Sequence, residues 1–180
     1  MSECKDLGVL DLTVLDLKVL DLEVSAEKLI EKLNSLSLTL ALAESCTGGM
    51  ISGLLTGIPG ASKVLWGSFV CYTQEAKVKM LGLDDDELSS NGLVCEKTAC
   101  AMAHGALQKS GANIAAAVTG IAGPDGDGSG VPAGTVWAAV LYKGKTTARE
   151  FHFAGARNEV RRQAVNAVFN IILNLTKEWE

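Results

Sequence analysis

Leu38-Thr39-Leu40-Ala41-Leu42-Ala43 runs straight into Glu44-Ser45-Cys46-Thr47-Gly48-Gly49, after which residues 49–57 resume a helical pattern. The apolar run reads as a buried strand, and the segment after it as a strand end turning into a helix. Open α/β sheets place their ligands at such junctions. Unpaired N–H groups and the positive end of a helix dipole suit the turn to an anion or a developing oxyanion. Gly48 and Gly49 let a ligand come close to the backbone. Ser45 is therefore a candidate nucleophile; the plainer alternative is that Ser45 or Thr47 only caps the helix.

Outward from that junction, strands alternate with helices. A helix is expected over residues 25–35 with Ser25 as N-cap, a strand over 63–72 and a short helix over 75–81. A small-residue helix follows over 96–109, then a buried strand over 113–119 and a glycine-rich loop over 120–134. Residues 135–142 and 146–153 read as a hairpin around Lys143-Gly144-Lys145, and 157–177 as a long closing helix. This order predicts a three-layer α/β/α domain with a mixed sheet. Upstream, residues 10–24 repeat Leu-Asp-Leu-x-Val. An odd repeat throws successive copies onto opposite faces of a strand. A helix accommodates it better, along a seam of Leu12, Leu15, Val19, Leu22, Ala26, Leu29, Leu33 and Leu36. Residues 1–24 are accordingly expected to form an arm and 25–180 the domain.

The 180 residues suffice for one domain with a sizeable core. A formal charge of −5 disfavours a nucleic-acid partner. No uncharged apolar run reaches the roughly 18 residues of a membrane span, and no secretory signal pattern opens the chain. Five cysteines without a Cys-x-x-Cys pair read as reduced thiols in a cytosolic protein. With only His104 and His152, no metal site of usual spacing is expected.

Three further segments could carry chemistry. Tyr72-Thr73-Gln74-Glu75-Ala76-Lys77 is a second strand-to-helix junction. A serine nucleophile needs a base, and in the absence of a well-placed histidine a lysine can serve. Its amine must fall from about 10.4 to near neutrality, at a cost of about 4 kcal/mol, which burial and a first-turn position favour. Lys77 fits, Tyr72 could relay the proton, and Lys79 is a neighbouring rival. Val118-Thr119-Gly120-Ile121-Ala122-Gly123-Pro124 follows another strand and offers backbone donors to a ligand. Phe153-Ala154-Gly155-Ala156-Arg157 delivers a forked guanidinium suited to phosphate or carboxylate. Ser25-Ala26-Glu27-Lys28 with Ser89-Ser90-Asn91 and Lys145-Thr146-Thr147 mimics a penicillin-binding set, but the chain is short for that fold and the last element lacks its glycine. Gly144-Lys145-Thr146 mimics a Walker motif, but Ala139 stands where its first glycine belongs.

Taken together, Ala43–Gly49, Val64–Tyr72 with Lys77, Val118–Pro124, Pro132–Trp137 and Phe153-x-Gly-x-Arg157 resemble the CinA C-terminal family, over about residues 25–177. The best-understood members are nicotinamide mononucleotide deamidases. The resemblance implies a stand-alone amidohydrolase that deamidates this mononucleotide without metal or organic cofactor, as a cytoplasmic homodimer. It implies Ser45 as nucleophile, Lys77 as base and Tyr72 as assistant. Glu44, Cys46, Thr47, Gly48, Gly49, Gln74, Thr119, Gly120, Ala122 and Gly123 would line the substrate site, with Arg157 facing the phosphate. Gln74 stands where the family usually has asparagine. Cys46 is a rival nucleophile, but in an extended segment only one of two neighbours can face the substrate.

Overall fold

A computed structural model describes residues 22–177. Most of the Leu-Asp-Leu-x-Val repeat, with the seam positions Leu12, Leu15 and Val19, lies outside them. Helix α1 (Leu22–Ser35) already includes Leu22, and Leu22, Ala26, Leu29 and Leu33 are buried along the expected seam. Ser25 is not an N-cap: it sits inside α1, buried, because the helix begins at least three residues earlier.

The order continues β1 (Leu40–Glu44), α2 (Met50–Thr56), β2 (Leu65–Val70), α3 (Gln74–Ala76), α4 (Asp85–Asn91), α5 (Glu96–Ser110) and β3 (Ile114–Gly120). Strands β4 (Thr135–Tyr142) and β5 (Lys145–His152) and helix α6 (Arg157–Thr176) complete it. The sheet order is β2-β1-β3-β4-β5, with β1 parallel to both neighbours and β4 antiparallel to both β3 and β5. Helices α1, α2 and α6 cover one face, and α4 and α5 the other. This is the expected three-layer mixed α/β architecture.

Period-two alternation builds both cores. Leu40, Leu42, Ile114, Ala116, Val118, Ala138 and Val140 point toward α1, α2 and α6. Ala43, Ala115, Ala117, Ala139 and Leu141 point toward α5, whose Ala99, Ala103 and Ala106 pack against them. Lys143 and Gly144, both with positive φ, form a two-residue hairpin turn of the kind that matches strand twist, so β5 starts one residue earlier than expected. Helix α4 was not expected, although Asp84 caps it by accepting from the Glu87 N–H at 2.9 Å. No helix among the described residues is long and apolar enough to cross a membrane.

Through α2 the chain passes from β1 to β2 on one side of it in the sheet, whereas β3 leads to β4 on the other side. The crevice between the carboxyl ends of β1 and β3 is thus the topological switch point. Ser45 and Ile121 stand at its two rims. Packing alone requires a glycine at Gly120. A Cβ at this position would lie 2.7 Å from Val136 Cγ2 and 2.8 Å from the Thr135 carbonyl. Gly120→Ala is expected to cost about 1–3 kcal/mol, read as a lowered melting temperature. An unchanged melting temperature would mean that β4 shifts freely.

Candidate active site

Glu44 ends β1, and the N–H of Cys71, just beyond β2, donates 2.8 Å to its carbonyl. Ser45 donates its own N–H to Val118 of β3 at 3.0 Å. These bonds bring three strand ends together. Gly48 and Gly49 follow with φ of +59° and +90°, left-handed conformations that a side chain would strain, and they turn the chain into α2.

The second junction is built differently from the helix expected over 75–81. Thr73 caps α3 by accepting from Ala76, and the chain then widens into a π turn over Lys77–Leu81 that ends at Gly82. Such wide turns are frequent at functional sites. This one turns Lys77 inward, leaving it 1% exposed. Its Nζ lies 3.0 Å from Ser45 Oγ and donates to the Cys71 carbonyl at 3.0 Å. Burial pushes the amine below its ordinary value of 10.5, opposed by the Cys71 and Cys46 thiols. Lys79, the rival, is exposed and paired with Glu75. A buried amine with a lowered pKa touching a serine hydroxyl can act as its base.

Cys46 is buried, and desolvation pushes its thiol up to about 12, beyond the reach of the weaker opposing influence of its own N–H, Lys77 and Arg161. Cys71 is pushed up to about 11, chiefly by burial. Neither offers a thiolate at neutral pH.

Several expected ligand-facing residues turn inward instead. Glu44 is fully buried, and its carboxylate accepts from Thr47 Oγ1, the Ile51 and Ser52 N–H groups and Ser68 Oγ. Glu44 and Thr47 therefore anchor α2 rather than touch a ligand. Thr119 is buried and donates 2.7 Å to the Leu93 carbonyl. Ala122 and Gly123 are also buried, so any contribution from them is through the backbone. Gln74 points at α4, donating to Asp85 Oδ1 at 2.8 Å and Ser89 Oγ at 2.9 Å, so its greater length is absorbed there. Tyr72 does not bridge Ser45 and Lys77, which touch directly. Its exposed hydroxyl accepts from Arg157 Nη2 at 2.6 Å, because β2 is an edge strand whose end faces α6. Arg157 also donates to the Gly123 carbonyl at 2.8 Å, joining the β2 end to the glycine loop.

Ser68 and Arg161 belong to the site and were not singled out by the sequence, although Ser68 lies within the Val64–Tyr72 segment. Ser68 was legible only as the β2 residue paired with Leu42, and Arg161 only as the residue one helical turn beyond Arg157. Among the described residues no group of three His, Cys, Asp or Glu side chains could hold a metal ion. A separate cavity of about 290 Å³ between the π turn, α4 and α5 is lined by Asp84, Glu87, Lys97 and His104 and holds neither Ser45 nor Lys77.

The CinA C-terminal domain model matches residues 22–176. The chain belongs to that family. Its CinA-family relatives include a CinA-like protein of Geobacter metallireducens, 46% identical over 124 residues, covering 69% of this chain and 30% of the relative. A CinA-like protein of Syntrophotalea carbinolica is 44% identical over 139 residues, covering 77% and 34%. The chain thus spans about a third of the length of these curated relatives. The crystal structure of competence/damage inducible protein CihA from Agrobacterium tumefaciens superposes with a TM-score of 0.83 at 41% identity, over 88% of this chain and 98% of that one. The CinA superfamily protein ECK1530/EC0983 from Escherichia coli gives 0.85 at 33%, over 94% and 99%. The switch-point crevice, with Ser45 at its rim and Lys77 in contact with that serine, therefore sits in a CinA-type domain whose layered frame recurs in solved structures.

Proposed function

We propose that this CinA domain is an amidohydrolase that converts nicotinamide mononucleotide to nicotinate mononucleotide and ammonia. The observation that carries the reading is the 3.0 Å contact between Ser45 Oγ and the buried Nζ of Lys77. Ser45 Oγ attacks the carboxamide carbon while Lys77 takes its proton. The oxyanion forms against the turn that follows Ser45. Lys77 returns the proton to the departing ammonia, leaving an acyl ester on Ser45. Water, deprotonated by the same amine, then cleaves that ester to the carboxylate. The nicotinamide identity rests on the family resemblance. The Arg157 guanidinium at the crevice suits the anionic end of a mononucleotide.

The test is ammonia release from nicotinamide mononucleotide by the purified chain, with stoichiometric appearance of the acid. Cys46→Ala is expected to keep turnover within about threefold, since a thiol raised to about 12 is not the nucleophile. A mononucleotide that raises the melting temperature while no ammonia appears would instead establish a binding module of the same fold.

A further inference from the structure

Arg161 lies one turn beyond Arg157 on α6, half-buried against the nucleophile turn. Its Nη2 donates 2.7 Å to the Thr47 carbonyl and its Nη1 donates 3.0 Å to Asn158 Oδ1. Among the described residues it forms no ion pair with a carboxylate, so charge neutralisation does not explain its place.

What the Thr47 carbonyl connects to does explain it. That carbonyl and the Gly48 N–H belong to one peptide group, and the Gly48 N–H donates 3.0 Å to the Ser45 carbonyl. The Ser45 carbonyl in turn shares a peptide group with the Cys46 N–H. Arg161 therefore heads a series of two hydrogen bonds through two peptides that ends on the N–H directly after the nucleophile. Each bond in such a chain polarises the next, by roughly 10–30%. In α/β-hydrolases, whose nucleophile also sits on a strand-to-helix turn, the residue after the serine supplies a backbone donor for the oxyanion. The turn also contains Gly48 and Gly49, whose conformational freedom would let it drift, and a forked guanidinium on the Thr47 carbonyl holds it.

We propose that Arg161 is a positioning residue: through the Thr47–Gly48 and Ser45–Cys46 peptides it fixes and polarises the Cys46 N–H as an oxyanion donor. This rests on the reading of Ser45 as the nucleophile. Arg161 does not touch the substrate in this role, which separates it from Arg157.

The test compares Arg161→Met and Arg161→Lys with wild type by kcat, KM, pH profile and melting temperature. It adds one readout independent of the natural reaction, the rate at which an alkyl fluorophosphonate modifies Ser45, followed by mass. There the serine oxygen bonds to phosphorus, fluoride leaves and Lys77 takes the proton. Arg161→Met is expected to lower kcat and Ser45 labelling roughly 10- to 100-fold, less than the loss of a direct donor, with KM within about threefold. The ascending limb set by Lys77 should stay in place. Arg161→Lys, which keeps charge and a donor, should restore labelling to within about fivefold. A raised KM with unchanged kcat and labelling would overturn the proposal, as would a displaced pH limb, which would mean that the turn had collapsed onto Lys77. Arg161→Gln carries the same comparison should the methionine variant not fold. Wild type that is labelled at Ser45 but releases no ammonia would refute the amidase reading alone, leaving Arg161 to be decided by the labelling rates.

Discussion

Lys77→Met should reduce ammonia release by about 10³-fold or more, matching Ser45→Ala, because the serine loses its base while its position is kept. Methionine has nearly the length of lysine and suits a site that is 1% exposed, so the loss is expected without loss of the fold. In wild type, kcat/KM should rise with pH as the amine loses its proton below its ordinary 10.5. That limb should vanish in the variant. Stability offers a check that needs no substrate. Across the window from the lowered folded value of Lys77 up to 10.5, the unfolded chain holds a proton that the folded chain lacks. Wild-type stability must therefore rise with pH through that window relative to Lys77→Met. The advantage of the variant is greatest at low pH and shrinks toward 10.5. Urea denaturation between about pH 6 and 7.5 reads this before thiol ionisation in the unfolded chain intervenes. A difference that instead grows with pH would show Lys77 to be a stabilised cation and remove it as the base.

The fold was legible because the apolar runs of β1 and β3 and the hairpin signal at Lys143-Gly144 are local properties of the chain. The site was legible in its ends but not in its geometry. Ser45 and Lys77 announced themselves as strand-to-helix junctions, yet they are 32 positions apart, and only the parallel pairing of β1 with β2 brings them together. The π turn that buries Lys77 has no sequence signature, since it is stabilised by the tertiary frame around it. Tyr72 was misplaced because nearness to Lys77 in sequence suggested contact, whereas the edge position of β2 leaves its hydroxyl to Arg157. The role of Glu44 was implicit in the period of two. Leu40 and Leu42 face α2, so Glu44 must face it as well, away from Ser45. Arg161 stayed hidden because a single arginine on a long helix reads as a solvated side chain until the helix is docked.

Glu44→Ala should be the most destabilising single change at the site, by about 4 kcal/mol or more, and Glu44→Gln should cost about 2–3 kcal/mol. The carboxylate accepts twice at each oxygen. Oε2 takes Thr47 Oγ1 at 2.9 Å and the Ile51 N–H at 3.0 Å, and Oε1 takes the Ser52 N–H at 2.9 Å and Ser68 Oγ at 3.1 Å. Alanine leaves all four donors without that acceptor, those of Thr47 and Ile51 buried and those of Ser52 and Ser68 partly so, and opens a void beside them. Glutamine keeps the volume but turns one acceptor into a donor. Whichever way its amide is set, an N–H of Ile51 or Ser52 then faces an NH₂ group. A hydroxyl can rotate away from such a clash, and a backbone N–H in the first turn of α2 cannot. Ser68→Ala, which removes one donor and keeps the carboxylate, should cost only about 1 kcal/mol. The expected order, alanine worse than glutamine and glutamine worse than the Ser68 variant, separates loss of the shared acceptor from loss of any one partner. Against a total stability of about 5–15 kcal/mol for a domain, the alanine change removes a quarter or more of what holds the chain folded. Urea midpoints decide it: a glutamine variant within about 0.5 kcal/mol of wild type would mean that α2, and with it the turn carrying Ser45, is held by something other than this carboxylate.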